Sequence, residues 1–73
     1  MQINEFVKEK RRLAKLTQPE LAEKAGVGLR FVRELEQGKE TLRMDKVNQV
    51  LKLFGYEIGA MKMDRNIITY EKS

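Results

Sequence analysis

The sequence predicts an all-α fold: a bundle of four to five short helices, followed by a C-terminal β-strand that pairs across a dimer. Three observations predict it. Apolar residues recur at intervals of three and four from Ile3 to Phe54, the spacing of one helix face. Gly26, Gly38 and Gly55 fall where successive apolar stretches stop, and glycine most readily takes the left-handed turn that ends a helix. Beyond Gly55 the helical interval disappears.

The first helix covers residues 3–15, with Ile3, Phe6, Val7, Lys10 and Ala14 on one face and charges on the other; Leu13 and Leu16 close its end. Thr17-Gln18-Pro19-Glu20 opens the second helix as a capping box. The threonine oxygen accepts a first-turn N–H while the glutamate reaches back to the threonine N–H. Pro19 lies in that first turn, where its missing donor removes no helical bond. Leu21, Ala22 and Ala25 form the inner stripe, and Gly26 ends it. A third helix runs from Gly28 or Leu29 to Gln37, with Val32 and Leu35 inward, and Gly38 stops it. Residues 39–43 form a polar loop to a fourth helix bearing Met44, Val47, Val50, Leu51 and Phe54, ended by Gly55.

Residues 56–62, Tyr56-Glu57-Ile58-Gly59-Ala60-Met61-Lys62, read as a strand, weakened by Gly59. A lone strand leaves its N–H and C=O groups without a ladder. The simplest partner is the same strand of a second copy across a two-fold axis. The competing reading folds Ile67-Ile68-Thr69-Tyr70 back as a hairpin around a turn at residues 63–66.

Composition narrows the function classes. At 73 residues and 41% apolar content the chain makes one small domain, burying only roughly 60% of its unfolded surface. Such a core contributes about 3–5 kcal/mol unless reinforced. With no cysteine and no histidine, disulfides and Cys/His zinc sites are excluded as reinforcement, which leaves oligomerisation. The only serine is Ser73, so the usual nucleophile–base pairs are missing and an enzyme is not expected. No cofactor, metal or small-molecule substrate is expected either. No apolar run approaches about 18 residues and no signal-peptide core is present, so the expectation is a cytoplasmic protein without a membrane partner. The formal charge is +4, and all of the excess lies in residues 1–55, which hold twelve basic and eight acidic groups. A basic surplus of this size suits a polyanion without requiring one.

The stretch from Gln18 to Gln37 carries the functional signal. Two short helices joined by about three residues must cross steeply, and this accounts for the residue types: Ala22 is small where the next helix passes over it, Gly26 turns the chain, and Val27, Val32 and Leu35 dock one helix on the other. The exposed side of the later helix then forms a ridge that fits the major groove of B-DNA, about 12 Å wide.

The runs Leu16-Thr17-Gln18-Pro19-Glu20-Leu21-Ala22-Glu23-Lys24-Ala25-Gly26-Val27 and Leu35-Glu36-Gln37-Gly38-Lys39 resemble the lambda-repressor-like helix-turn-helix of the XRE type, over about residues 5–55. Leu29-Arg30-Phe31-Val32-Arg33-Glu34-Leu35-Glu36-Gln37-Gly38-Lys39-Glu40-Thr41 with the short C-terminal strand is similar to HipB-like antitoxins. The resemblance implies residues 1–55 as a helix-turn-helix DNA-binding domain and residues 56–73 as a strand and tail for dimerisation or partner contact. It further implies a homodimeric repressor on palindromic operators of double-stranded DNA, often its own promoter, that commonly sequesters a HipA-like kinase toxin.

Carried over by position, the resemblance puts Leu29, Arg30, Arg33 and Glu34 in the groove. Arg30 would fork onto guanine O6 and N7, Leu29 would touch a thymine methyl and Glu34 would accept from a cytosine amino group. The plainer readings are an i,i+4 pair between Arg30 and Glu34 on a solvated face and helix-start packing for Leu29. Gln18, with the N–H groups of its helix end, would hold a phosphate. Lys39, Thr41, Arg43, Lys46 and Asn48 are further phosphate candidates, against ordinary exposed surface; Arg12 and Lys15 read as solvated. Phe31 reads as core beneath the 39–43 loop. The resemblance also sets Arg11 against Glu36 as a structural ion pair. Phe54, Tyr56, Ile58 and Ala60 are the candidates for the dimer surface, with monomer core the other reading, above all for Phe54. Met61 and Met63 are soft contacts for a partner protein or ordinary strand packing. Two departures stand out: Gly28 replaces the usual Ser or Thr cap of the reading helix, at a cost of a few tenths of a kcal/mol (about), and Glu34 puts a negative charge on the DNA side.

Overall fold

A computed structural model describes residues 2–62. Four helices follow in order: α1 Ile3–Leu13, α2 Gln18–Ala25, α3 Leu29–Glu36 and α4 Met44–Leu53. α3 packs against both α1 and α2, and α4 packs against α2. Their shared core is Val7 from α1, Leu21 and Ala22 from α2, Val32 and Leu35 from α3, and Val47, Val50 and Leu51 from α4. Phe6, Leu16, Ala25, Val27, Leu29, Phe31, Leu42, Phe54 and Ile58 pack around it, half-buried. The small side chain at Ala22 is buried between the crossing helices, and Phe31 lies against the core as its pattern predicts.

The start of α2 is fixed locally. Glu20 N–H donates to Thr17 Oγ1 at 3.2 Å and Thr17 N–H donates to Glu20 Oε1 at 2.8 Å, so both halves of the capping box form. The Thr17 hydrogen bonds hold the Glu20 carboxyl below the usual carboxylate range. α3 begins at Gly28 with no side-chain cap, as the glycine requires.

α1 ends two residues before the predicted boundary. Leu13 is its last helical residue, and Lys15 takes a left-handed conformation with φ 58°. Lys15 N–H donates to the Arg12 carbonyl and Leu16 N–H to the Arg11 carbonyl, both at 3.0 Å, the paired bonds of a Schellman ending. The same geometry closes α2 at Gly26, φ 75°, where Val27 N–H donates to the Ala22 carbonyl at 3.0 Å. A side chain in this region is unfavourable by about 1–2 kcal/mol, so Lys15→Gly is expected to raise stability by about 0.5–1 kcal/mol after the added freedom of the unfolded chain is subtracted. Chemical denaturation reads this as a higher midpoint at unchanged slope. Lys15→Ala, which removes the same charge, should show no gain, and an equal gain in both variants would contradict the backbone explanation.

The inner stripe of α1 is narrower than its pattern suggests: Val7 is buried and Phe6 half-buried, whereas Ile3 and Ala14 are exposed and Leu13 is 70% exposed. Lys10 belongs to that stripe for a different reason. Its Nζ lies 5.4 Å from the ring centres of both Phe6 and Tyr56, which meet edge to face at 4.8 Å, so its stem lies along apolar surface while its charge rests on aromatic faces.

Within the single chain residues 56–62 take no regular secondary structure, and the strand expected there would draw its ladder from a second copy. A strand is defined by its ladder, and no strand is present among the described residues to supply one. This stretch is instead tied to the helices: Ile58 N–H donates to Asn48 Oδ1 at 2.8 Å, Ile58 packs on the core, and Tyr56 lies on Phe6. Met63, the turn at residues 63–66 and the hairpin strand at residues 67–70 lie outside the described residues. No helix among the described residues is long and apolar enough to cross a membrane.

Candidate nucleic-acid interface

The two sides of α3 separate cleanly. Val32, Leu35 and Glu36 point inward, while Leu29 and Phe31 sit half-buried at its edges. Outward stand Arg30, its side chain 91% exposed, Arg33, fully on the surface, and Glu34, half-buried. Arg30 Nε lies 3.5 Å from Glu34 Oε2, so the i,i+4 pair is present. Lys39 Nζ donates to the same oxygen at 3.3 Å. Arg33 takes part in no ion pair among the described residues. Gln37, exposed and four residues beyond Arg33, extends this face to the end of the helix. The sequence pattern marks Gln37 only as a helix end, with no sign of its place on this surface.

The inward side of α3 is anchored by a charge. Glu36 is buried, its side chain 2% exposed. It accepts from Arg11 Nε at 2.7 Å on one oxygen and, on the other, from Arg11 Nη2 at 3.0 Å and Gln18 Nε2 at 3.1 Å. Arg11 Nη1 also donates to the Leu16 carbonyl at 2.9 Å. The hydrogen bond to Glu36 raises the guanidinium above its ordinary value. One side chain thus joins α1, the turn after it and the end of α3, and Gln18 adds the start of α2. No buried side-chain polar atom among the described residues lacks a partner.

The remaining candidate residues surround that anchored helix. Gln18 occupies the first position of α2, with its amide nitrogen turned to Glu36. Lys39, Thr41 and Arg43 are exposed between α3 and α4. Arg43 forks onto Asp45 through Nη2 at 2.7 Å and Nε at 3.2 Å, and that bond holds the Asp45 carboxyl below the usual range. Lys46 and Asn48 are half-buried on α4, and the Asn48 oxygen is occupied by the Ile58 N–H. Arg12 and Lys15 are exposed. Of the proposed dimer residues, Phe54 and Ile58 pack on the core, Tyr56 is 47% exposed on Phe6, and Ala60 is exposed. Two attachments had no sequence signal: Asn48 to Ile58, and Gln49 Nε2 to the Ala25 and Gly26 carbonyls at 3.4 and 3.5 Å. Both are tertiary contacts of an amide with backbone more than one turn away.

A short helix, a glycine-made turn and a second helix whose inner side is locked and whose outer side is a charged ridge define a helix-turn-helix protein. The chain belongs to the helix-turn-helix family, which matches it over residues 7–60. It is also 48% identical over 59 residues, 81% of this chain and 78% of the other, to an uncharacterized HTH-type transcriptional regulator, y4mF, of Sinorhizobium fredii.

Proposed function

We propose that the protein is a sequence-specific DNA-binding transcriptional repressor that acts as a homodimer on inverted-repeat operators. The observation that carries this reading is the two-sided character of α3: Glu36 and the core hold one side, while Arg30 projects from the other with its side chain 91% exposed. In this reading α3 enters the major groove. Arg30 forks onto guanine, Arg33 reads or steers beside it, Leu29 touches a thymine methyl and Glu34 accepts from a cytosine amino group. The start of α2 at Gln18, with Lys39, Thr41, Arg43 and Lys46, holds phosphates. Asn48 contributes through its amide nitrogen, because its oxygen is already engaged.

Phe54, Tyr56, Ile58 and Ala60 make the dimer surface. The half-burial of Phe54 and Ile58 supports a role in which they shape it from beneath, while Tyr56 and Ala60 face the second copy. In this reading the segment after α4, held at Ile58 by the Asn48 oxygen, pairs with its twin as a strand. The resemblance to HipB-like antitoxins adds autorepression and a HipA-like kinase toxin as partner. Met61, 88% exposed, supports a protein-binding surface on this segment. Co-purification with the product of an adjacent gene tests it.

The DNA-binding reading is tested by selection of duplexes from a randomised pool. The expected result is an inverted repeat whose logarithmic affinity falls with logarithmic salt by about 0.9 per phosphate neutralised, bound by a species of twice the chain mass. A pool that yields no enriched duplex would overturn it.

A further inference from the structure

Glu34 stands on the outward side of α3 between two cations. Its Oε2 lies 3.5 Å from Arg30 Nε and accepts from Lys39 Nζ at 3.3 Å. We propose that Glu34 sets the specificity of this surface: it restrains Arg30 through a contact at the Nε edge, and it repels the phosphates that would otherwise draw Arg30 and Lys39 to any duplex. The inference rests on the DNA-binding reading above.

The argument begins with Arg30 itself. A side chain 91% exposed has almost no packing to select its rotamer, and ordering so long a side chain on binding is entropically costly. Among the described residues the carboxylate four positions on is the one charged group that holds it. Phosphates line both edges of every groove, whereas a matching guanine occurs only at the right site. An unrestrained guanidinium therefore finds phosphate first. With Glu34 beside it, the group of Arg30, Glu34 and Lys39 carries one net positive charge instead of two, and the sequence-independent attraction falls.

Specific binding loses little by this arrangement. In this arrangement Arg30 reaches guanine O6 and N7 through Nη1 and Nη2 while Nε stays beside the carboxylate. At a wrong site the same carboxylate is set against acceptor groups or phosphate, and that like-charge contact is unfavourable in a desolvated groove. Glu34 is thus a positioning residue toward Arg30 and a charge barrier toward DNA of any other sequence.

The test compares wild type, Glu34→Gln and Glu34→Ala as full chains on two probes, the duplex that wild type enriches from a randomised pool and a scrambled duplex of the same composition, across a salt series. Both variants should bind the scrambled duplex more tightly, with a salt slope steeper by about 0.9 for each phosphate newly engaged. The ratio of the two affinities should fall by about tenfold, within the range of one well-made base contact. Glu34→Gln keeps a polar acceptor of the same length beside Arg30 and should retain more affinity for the enriched duplex than Glu34→Ala. Thermal melts matching wild type show that the fold is intact. An unchanged ratio, or one that falls with scrambled binding and slope unaltered, overturns the proposal while leaving the DNA-binding reading standing. Failure of wild type to enrich any duplex overturns both.

Discussion

Replacing Arg11 with methionine is expected to cost the domain about 3–5 kcal/mol, an amount comparable with the whole stability of a chain this small. Glu36 would keep its burial and lose two of its three donors, leaving only the Gln18 amide at 3.1 Å. A charge stranded away from water is the source of the loss, since the pair itself need not be net stabilising. Arg11→Lys should recover only part, because an ammonium cannot supply the Nε and Nη2 fork and also reach the Leu16 carbonyl. The double variant Arg11→Met, Glu36→Leu should regain most of the loss, because no buried charge remains. Far-UV circular dichroism across a denaturant series reads all of these; a single variant that unfolds with the wild-type midpoint would contradict the account of Glu36 as a buried anchor.

Arg30→Ala is expected to leave the fold unchanged and to weaken binding to an enriched operator by about 1–3 kcal/mol per half-site. A dimer engaging both half-sites incurs the loss twice. Arg30→Lys separates the causes, because it retains the charge and forfeits the bidentate fork. It should hold scrambled DNA as well as wild type does and still lose preference at one base pair of each half-site. Arg33→Ala provides the comparison on the same face: a loss uniform across sequences, with a shallower salt dependence, marks a phosphate contact. Affinities measured at one fixed salt concentration check the ordering, and equal base preference in wild type and Arg30→Lys would remove Arg30 from the reading position.

The elements that sequence made legible are those governed by local rules. The capping box at Thr17 and Glu20 involves residues three apart, and Gly26, Gly38 and Gly55 all take positive φ at the ends of their helices. The core stripes of α2, α3 and α4 follow their intervals closely, apart from Met44, which is 60% exposed. α1 was overextended because lysine gives no sign of the left-handed backbone that Lys15 adopts. The strand expected over residues 56–62 rests on a lost helical period, and its ladder depends on a partner far along the chain or on another copy, which no local pattern specifies.

Within the candidate site, residue types on α3 were legible and their attachments were not. Arg30, Arg33 and Glu34 follow from which side of the helix is apolar. That Glu34 joins Lys39 as well as Arg30 depends on the turn at Gly38, which brings the next cation back toward the helix end. The sequence marks Asn48 only as a phosphate candidate, and the path of the segment after α4 is what brings the Ile58 N–H to its oxygen. Gln18 was assigned to phosphate from its place at a helix start, while its amide contact with Glu36 depends on how α2 crosses α3.

The proposed repressor reading requires that α3 enter the major groove and that Arg30 read guanine there. Methylation interference at guanine N7 on the enriched duplex tests it most directly, because that atom faces the major groove alone. The account predicts blocked binding at guanines in two half-sites whose centres lie about 10 base pairs, one helical turn, apart, and loss of the effect at one guanine per half-site in Arg30→Ala. Tight binding that ignores N7 methylation throughout, or an interference pattern identical in wild type and Arg30→Ala, would contradict it.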